Sequence, residues 1–335
     1  MTREEMLTLT TAEPVSFRKE RYLGGAFSLL LSDFSFDEQE VLRRLYEQLQ
    51  ELLAKTHADG LLSEADTAKL NAFLQNSEFL PLQEQLFAMM GEALANRQKT
   101  RETALYGLAS GALSSITGYL LITRNSSLEK EYIQSLYYLS RDHLKLMRNL
   151  VRDLDPVKRS HDEAAKWHSL NLLKEKWASV TYRAFAEEIE VTFDNYYEGQ
   201  VAARCLEFSE LDNIFYHLAN NALRYSAHPK LAIGVLPVAG DKQLRWVFAN
   251  TISTAQTEAI AALTEDGTSL FEHGATTLGK NSEGYGLGSV ADTILHAYGL
   301  DDLYAAEEQG YFGWKIRDDR FYIWFHWPSI EEGVS

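Results

Sequence analysis

Apolar positions change their spacing near the middle of the chain. Up to Pro156 they recur with a helical period, and beyond it they alternate or run in short blocks. The stretch EQEVLRRLYEQLQELLAK predicts a first long helix. Ser35 and Asp37 are its N-cap candidates, because their side-chain oxygens can accept from the unpaired amides of the first turn. A shorter helix is predicted over 63–76, with Ser63 and Asp66 near its start, and Leu80-Pro81 marks a break. One long helix is expected over 82–122 and another over 129–155, joined by the polar turn TRNSSLEK. In the second, Ile133, Tyr137, Ser140, Leu144, Met147, Val151 and Leu154 are spaced alternately by four and three, the seam of a coiled coil or bundle. Leu105, Ala109, Ala112, Ile116 and Tyr119 form a smaller stripe on the first. A hairpin with one seam per helix cannot bury both alone, so the pattern predicts a dimeric four-helix bundle and hence a homodimer.

After Pro156, EIEVTF, RCLEF, LAIGVLPV and QLRWVFAN read as strands, while FSELDNIFYHLANNALRYS reads as an amphipathic helix. A short helix over 257–263, a glycine-rich segment and a helix over 287–298 follow. The segment GWKIRDDRFYIWFHWP reads as a terminal hairpin turning at Asp318-Asp319. Strands interleaved with helices indicate a two-layer α/β sandwich. The expected organisation is a helical region over 1–80, a helical hairpin over 81–160 and the α/β domain over 165–330.

Composition narrows the partners. A formal charge of −16 argues against sequence-independent binding to nucleic acid or anionic lipid. Cys205 is the single cysteine, which excludes a disulfide framework and a thiolate metal site. The least polar stretch, 107–122, is interrupted by serines and a threonine and is short for a bilayer span. Glu4 and Glu5 interrupt the N-terminus where a signal peptide would be apolar. A cytoplasmic protein with no membrane segment is the expectation.

Three segments carry candidate chemistry. In HLANNALRYS, Asn221 can offer an amide oxygen to Mg²⁺ and Arg224 can neutralise phosphate charge, with Tyr225 one turn after Asn221 counted in the same ATP-binding set. In SEGYGLGSVADTILHAY, Gly284, Gly286 and Gly288 precede or open a helix, where backbone amides can approach phosphate closely. In VFANTIS, Asn250 ends a strand and can pair with the adenine amino group. LFEHGATTLGK follows, with Gly274, Thr276, Thr277 and Lys280 on what would be a lid over the phosphates.

Together these segments resemble the ATP-binding domain of sensor histidine kinases, within the GHKL (Bergerat) superfamily that includes gyrase and MutL. NNALRYS is similar to the N-box, GYGLGS, with Leu287 at its centre, to the second glycine box, and the lid to those of quorum-sensing peptide-receptor kinases. The resemblance implies ATP and Mg as cofactors. His217 stands one turn before Asn221, where related ATPases place a water-activating glutamate, and is the candidate base. The helical hairpin looks like a dimerisation and phosphotransfer domain, yet the matching register puts Gly107 where the phosphoacceptor histidine belongs and Gly111 one turn later. His143 is the nearest remaining acceptor candidate, expected on the bundle surface. The resemblance therefore implies a two-component pseudokinase whose partners are response regulators or histidine kinases. Two alternatives stay open: an active kinase or ATPase acting on another residue, and a scaffold without nucleotide.

Overall fold

The computed structural model describes residues 1–9, 21–22, 24, 29–123, 128–178, 180–184, 187–240, 242–277 and 285–330. The chain divides into two units that are not consecutive in sequence. Met1–Gly24, Ala165–Tyr182 and Glu188–Ser335 form one, and Gly25–Ala164 with Arg183–Glu187 form the other. A short helix α1 (Arg3–Leu7) opens the chain behind a Thr2/Glu5 capping box and belongs to the first unit.

The second unit is helical. It contains α2 (Phe36–Lys55), α3 (Glu64–Asn76), α4 (Phe79–Ala95), α5 (Lys99–Ala109), α6 (Ala112–Thr123), α7 (Lys130–Leu150) and α8 (Pro156–Glu163). Ser35 caps α2 through a capping box with Glu38, Ser63 caps α3, and Pro81 sits in the first turn of α4, where proline is tolerated. The long helix expected over 82–122 is instead three helices. The chain breaks first at Asn96–Gln98, with Arg97 at φ 57°, and again at Ser110–Gly111, with Gly111 at φ 56°. Left-handed backbone cannot continue a right-handed helix, and Gly111 is the residue that adopts it without a Cβ clash. The last predicted helix ends at Leu150 rather than 155, because Asp155 accepts from Lys158 N and starts α8 with Pro156 as its first residue.

The predicted stripes are buried at most positions. Leu105, Ala109, Ala112, Ile116 and Tyr119, together with Ile133, Ser140, Leu144, Met147 and Val151, lie in the interior, whereas Tyr137 and Leu154 are half-buried. What covers them within the chain is α2, packed along α7, and α4, packed on α5 and α6. Tyr46 of α2 marks one end of this contact, accepting from Arg148 Nη1 at 3.1 Å and donating to Asp155 at 2.8 Å. His143, expected on the surface, is fully buried, because α7 is enclosed by α2 and α6 on different sides. Lys99–Thr123 is long and apolar enough by composition to cross a membrane, but 83% of its most apolar window is buried inside the protein.

The first unit continues with β1 (Ala165–Ser169), α9 (Leu170–Trp177), β2 (Val180–Ala184), β3 (Glu187–Asn195), β4 (Gln200–Arg204), α10 (Cys205–Tyr225), β5 (Lys230–Val238) and β6 (Gln243–Thr251). It ends with α11 (Thr254–Thr264), α12 (Tyr285–Tyr298), α13 (Leu303–Glu308), β7 (Phe312–Arg317) and β8 (Arg320–Pro328). RCLEF is not a strand: Arg204 ends β4 and the other four residues form the first turn of α10. Leu206, Phe208 and Leu211 are buried at spacings of two and three, so a short window looked alternating. The main sheet is mixed and six-stranded, in the order β2-β3-β5-β6-β8-β7, and β1 pairs with β4 separately.

Strand β6 shows the layering. Trp246 and Phe248 face the helices, each 5.0 Å from the Phe215 ring of α10. Val247 and Ala249 face the other way and pack with Met6, Leu9, Leu236, Val238, Tyr322 and Trp324. The unit therefore has α10 and α12 on one face of the sheet and the N-terminal segment on the other.

Candidate functional site

One end of the main sheet gathers the sequence-predicted residues. Asn250 is the second-last residue of β6, paired with Leu231 at the start of β5 and Phe321 at the start of β8. By alternation it continues the Trp246–Phe248 row on the helix-bearing face. Its side chain is buried, and Nδ2 has no hydrogen-bond partner among the described residues. A buried amide donor left without a partner costs free energy, on the order of 1–3 kcal/mol, unless something else accepts from it.

Helix α10 ends beside this position. Ala227 N donates to Thr251 O at 2.7 Å, which ties the chain leaving α10 to the last residue of β6. Asn221 and Tyr225 are half-buried in the last turns of α10, and Arg224 is exposed. Asn220, next to the predicted magnesium ligand, is buried and held by the Tyr182 hydroxyl at 2.9 Å. His217 is buried too, with Nε2 3.3 Å from Asn213 Nδ2, and burial lowers its pKa to about 4. The imidazole is thus neutral at physiological pH.

Helix α12 enters from the third side. Gly286, Leu287 and Gly288 lie in its first turn rather than in a preceding loop. Leu287 packs against the cluster of Ile252, Ile260 and Leu270, which places the helix start next to the end of β6 and to α11. The lid root is anchored on the same elements. Gly274 adopts φ 90°, where side-chain-bearing residues are strained, and Thr277 Oγ1 accepts from Gln256 Nε2 of α11 at 2.6 Å. Thr276 is half-buried alongside, whereas Lys280 and Gly284 lie outside the described residues.

Sequence reasoning missed three features of this end. The Ser226 and Ser289 hydroxyls, one at the C-cap of α10 and one in the first turns of α12, are buried without a hydrogen-bond partner among the described residues, as Asn250 Nδ2 is. The third is His273, whose Nε2 lies 2.7 Å from Asp292 of α12. A Cβ at Gly288 would lie 2.7 Å from His273 Nδ1, so the absence of a side chain at 288 is explained by the imidazole seated on it. The serines close the two motifs, NNALRYS and GYGLGS, but nothing in the motifs assigned them a role. His273 carried no spacing signal, since its partner is nineteen positions away.

Among the described residues no group of three or more His, Cys, Asp or Glu side chains could hold a metal ion. A divalent ion here would thus rest on Asn221 together with water and ligand oxygens, a donor set that suits Mg²⁺. Three orphaned polar atoms, two asparagine amides and the amino-terminal turn of a helix together fit a polar, anionic small molecule with a hydrogen-bonding ring system.

No protein-family model matches the sequence, and no curated protein matches it. Among solved structures the chain is similar to the catalytic domain of the histidine kinase ThkA, with 15% identity over 42% of this chain and 79% of that one, at a TM-score of 0.29. It is similar to full-length ShkA in complex with AMPPNP, with 18% identity over 75% of this chain and 47% of that one, at 0.33. The histidine kinase AdeS of Acinetobacter baumannii gives 13% identity over 66% and 96%, at 0.30. Superpositions of this quality are partial, so the reading of the site rests on its own residues.

Proposed function

We propose that this chain is a nucleotide-binding regulator of the histidine-kinase type that has lost the usual phosphoacceptor. The observation that carries the reading is the meeting of Asn221, Asn250 and the Gly286–Gly288 turn at one end of the sheet, around the unpartnered polar atoms of Asn250, Ser226 and Ser289. Asn250 would hold the adenine edge through its amide, and Asn221 would complete the shell of a Mg²⁺ ion. The first amides of α12 and Arg224 would meet phosphate charge. A bound nucleotide supplies a transferable phosphoryl group; the protein's own part is to orient it and exclude water.

What supports loss of transfer is the helical unit. Gly107 is buried in α5, where an added Cβ would stand 3.5 Å from Leu150, and Gly111 ends that helix rather than extending it. Neither residue has a nucleophile or can position water. His143, the alternative acceptor, has both ring nitrogens buried without partners among the described residues, and burial lowers its pKa to about 3. A response regulator or a kinase reading the nucleotide state is the partner class that fits a cytoplasmic protein of this type. The expected homodimer would have to use surfaces other than the predicted seam, since α2 and α4 cover that seam in the chain itself.

Calorimetric titration with ATP and Mg²⁺, paired with a γ-labelled transfer assay, tests this reading. Binding that weakens about tenfold or more in Asn250→Ala and Asn221→Ala, without label on the protein, is the expected result. Acid-stable label would establish instead an active kinase of serine or threonine. Absence of binding at millimolar ATP would leave only a scaffold.

A further inference from the structure

The outer face of the sheet in the first unit is occupied by the chain's own N-terminal segment. Met6 is fully buried and Leu9 nearly so, set against Leu236 and Val238 of β5, Val247 and Ala249 of β6, and Tyr322 and Trp324 of β8. The seat is shaped for its occupant. Gly234 has no side chain where a Cβ would collide with Met6 Sδ and lie 2.6 Å from Met1 Cε. Within the seat the buried Arg245 donates through Nη1 to Met6 O at 3.2 Å, and at its edge Arg317 Nη2 donates to Thr8 Oγ1 at 3.3 Å and Arg320 lies 3.8 Å from Glu5. An apolar patch with polar contacts at its edge is the anatomy of a binding surface rather than of a continuous core.

Helix α1 is only five residues long, far too short to hold its shape alone in water. Its fold therefore depends on the seat, as for a peptide that orders on binding. The seat in turn shares β6 with the candidate nucleotide site. Arg245, Val247 and Ala249 face α1, whereas Trp246, Phe248 and Asn250 face the helices, so Asn250 directly follows the last residue of the seat.

We propose that residues 1–9 act as a built-in ligand for the outer face of the sheet, and that their seating sets the affinity of the nucleotide site on the opposite face. The second half of this statement rests on the nucleotide reading given above; the first half does not. Occupancy of the seat holds the end of β6 in the position that aims Asn250, and vacating it exposes the apolar face and releases that strand end.

The test uses the full chain with three substitutions. Met6→Asp removes the apolar anchor, Gly234→Leu fills the hollow that receives it, and Met6→Leu keeps an apolar occupant as control. Binding of an apolar-surface dye and hydrogen exchange of the β5, β6 and β8 amides report the seat, while calorimetric ATP/Mg²⁺ titration reports the site. Both disruptive variants should raise dye binding and exchange and weaken nucleotide binding about tenfold, with Met6→Leu behaving as the parent. Unchanged dye binding and exchange in both would overturn the seat. Raised dye binding with unchanged nucleotide affinity would overturn the coupling. If the parent binds no nucleotide, the functional reading and the coupling fail together, while the dye and exchange results still decide the seat. Should Met6→Asp fail to fold, Gly234→Leu reaches the same state through the sheet side.

Discussion

His143, His217 and His326 are all interior but differ in what surrounds them. Among the described residues His143 has no hydrogen-bond partner at either nitrogen, His217 lies beside Asn213, and His326 accepts from Arg245 Nε at 3.1 Å while its Nδ1 faces Tyr311 O. Burial lowers their pKa values to about 3, 4 and 3, from an ordinary value of 6.5; beside His326, the Arg245 charge adds to the effect. The folded chain keeps them neutral, and the unfolded chain binds protons once the pH drops below about 6.5. Their contribution is therefore fully present above that pH and is lost as pH falls toward the folded values. Each should cost at most about 1.4 kcal/mol per pH unit across that window. Urea unfolding of the helical unit between pH about 6 and about 4.5 should become flatter in His143→Leu by about that slope. An unchanged slope would mean that water or a local opening reaches the ring.

At the scale of elements, α2 is the part of the helical unit whose role the sequence hid. Leu42, Leu45, Leu49 and Leu52 are all fully buried, and they supply the apolar face that a second hairpin was expected to supply. Leu49→Ala should destabilise this unit by about 2–5 kcal/mol, read as a shift of its denaturant midpoint. A surface helix would show less than about 0.5 kcal/mol. The contrast explains what was legible. Periodicity named most of the buried positions on α6 and α7, Tyr137 being half-buried and Leu154 lying beyond the end of α7, because burial imposes the period whatever does the burying. It could not say what covers them, since α2 has an equally ordinary amphipathic pattern. The β7–β8 hairpin, β5 and β6 were legible because turn residues and uninterrupted apolar runs bound them. The breaks at Arg97 and Gly111 were not, as both adopt left-handed backbone within otherwise helical sequence. In the candidate site, Asn221, Asn250 and the glycine turn were readable as local motifs. Ser226, Ser289 and the His273–Asp292 pair became visible only once the fold brought distant segments together.

For the whole molecule, the order of the chain matters as much as its units. The chain begins on the sheet of the first unit, leaves it at Gly24, builds the helical unit, and returns at Ala165. Arg21 is held on the first unit: its guanidinium lies 2.6 Å from Glu207 and donates to the carbonyls of Ser329 and Pro328 at 2.8 and 3.1 Å. The consequence is a mechanical one. If the chain is stretched between handles at Thr2 and Ile330, both handles pull on the first unit, and residues 25–164 are an insertion between two of its segments. Load first reaches residues 25–164 only after the N-terminal segment peels from the sheet and Arg21 lets go. Optical-trap extension should therefore record a short release before any unfolding of the helices, and Met6→Asp should lower the force of that first event alone. Helices that yielded first would mean that tension bypasses the N-terminal seat.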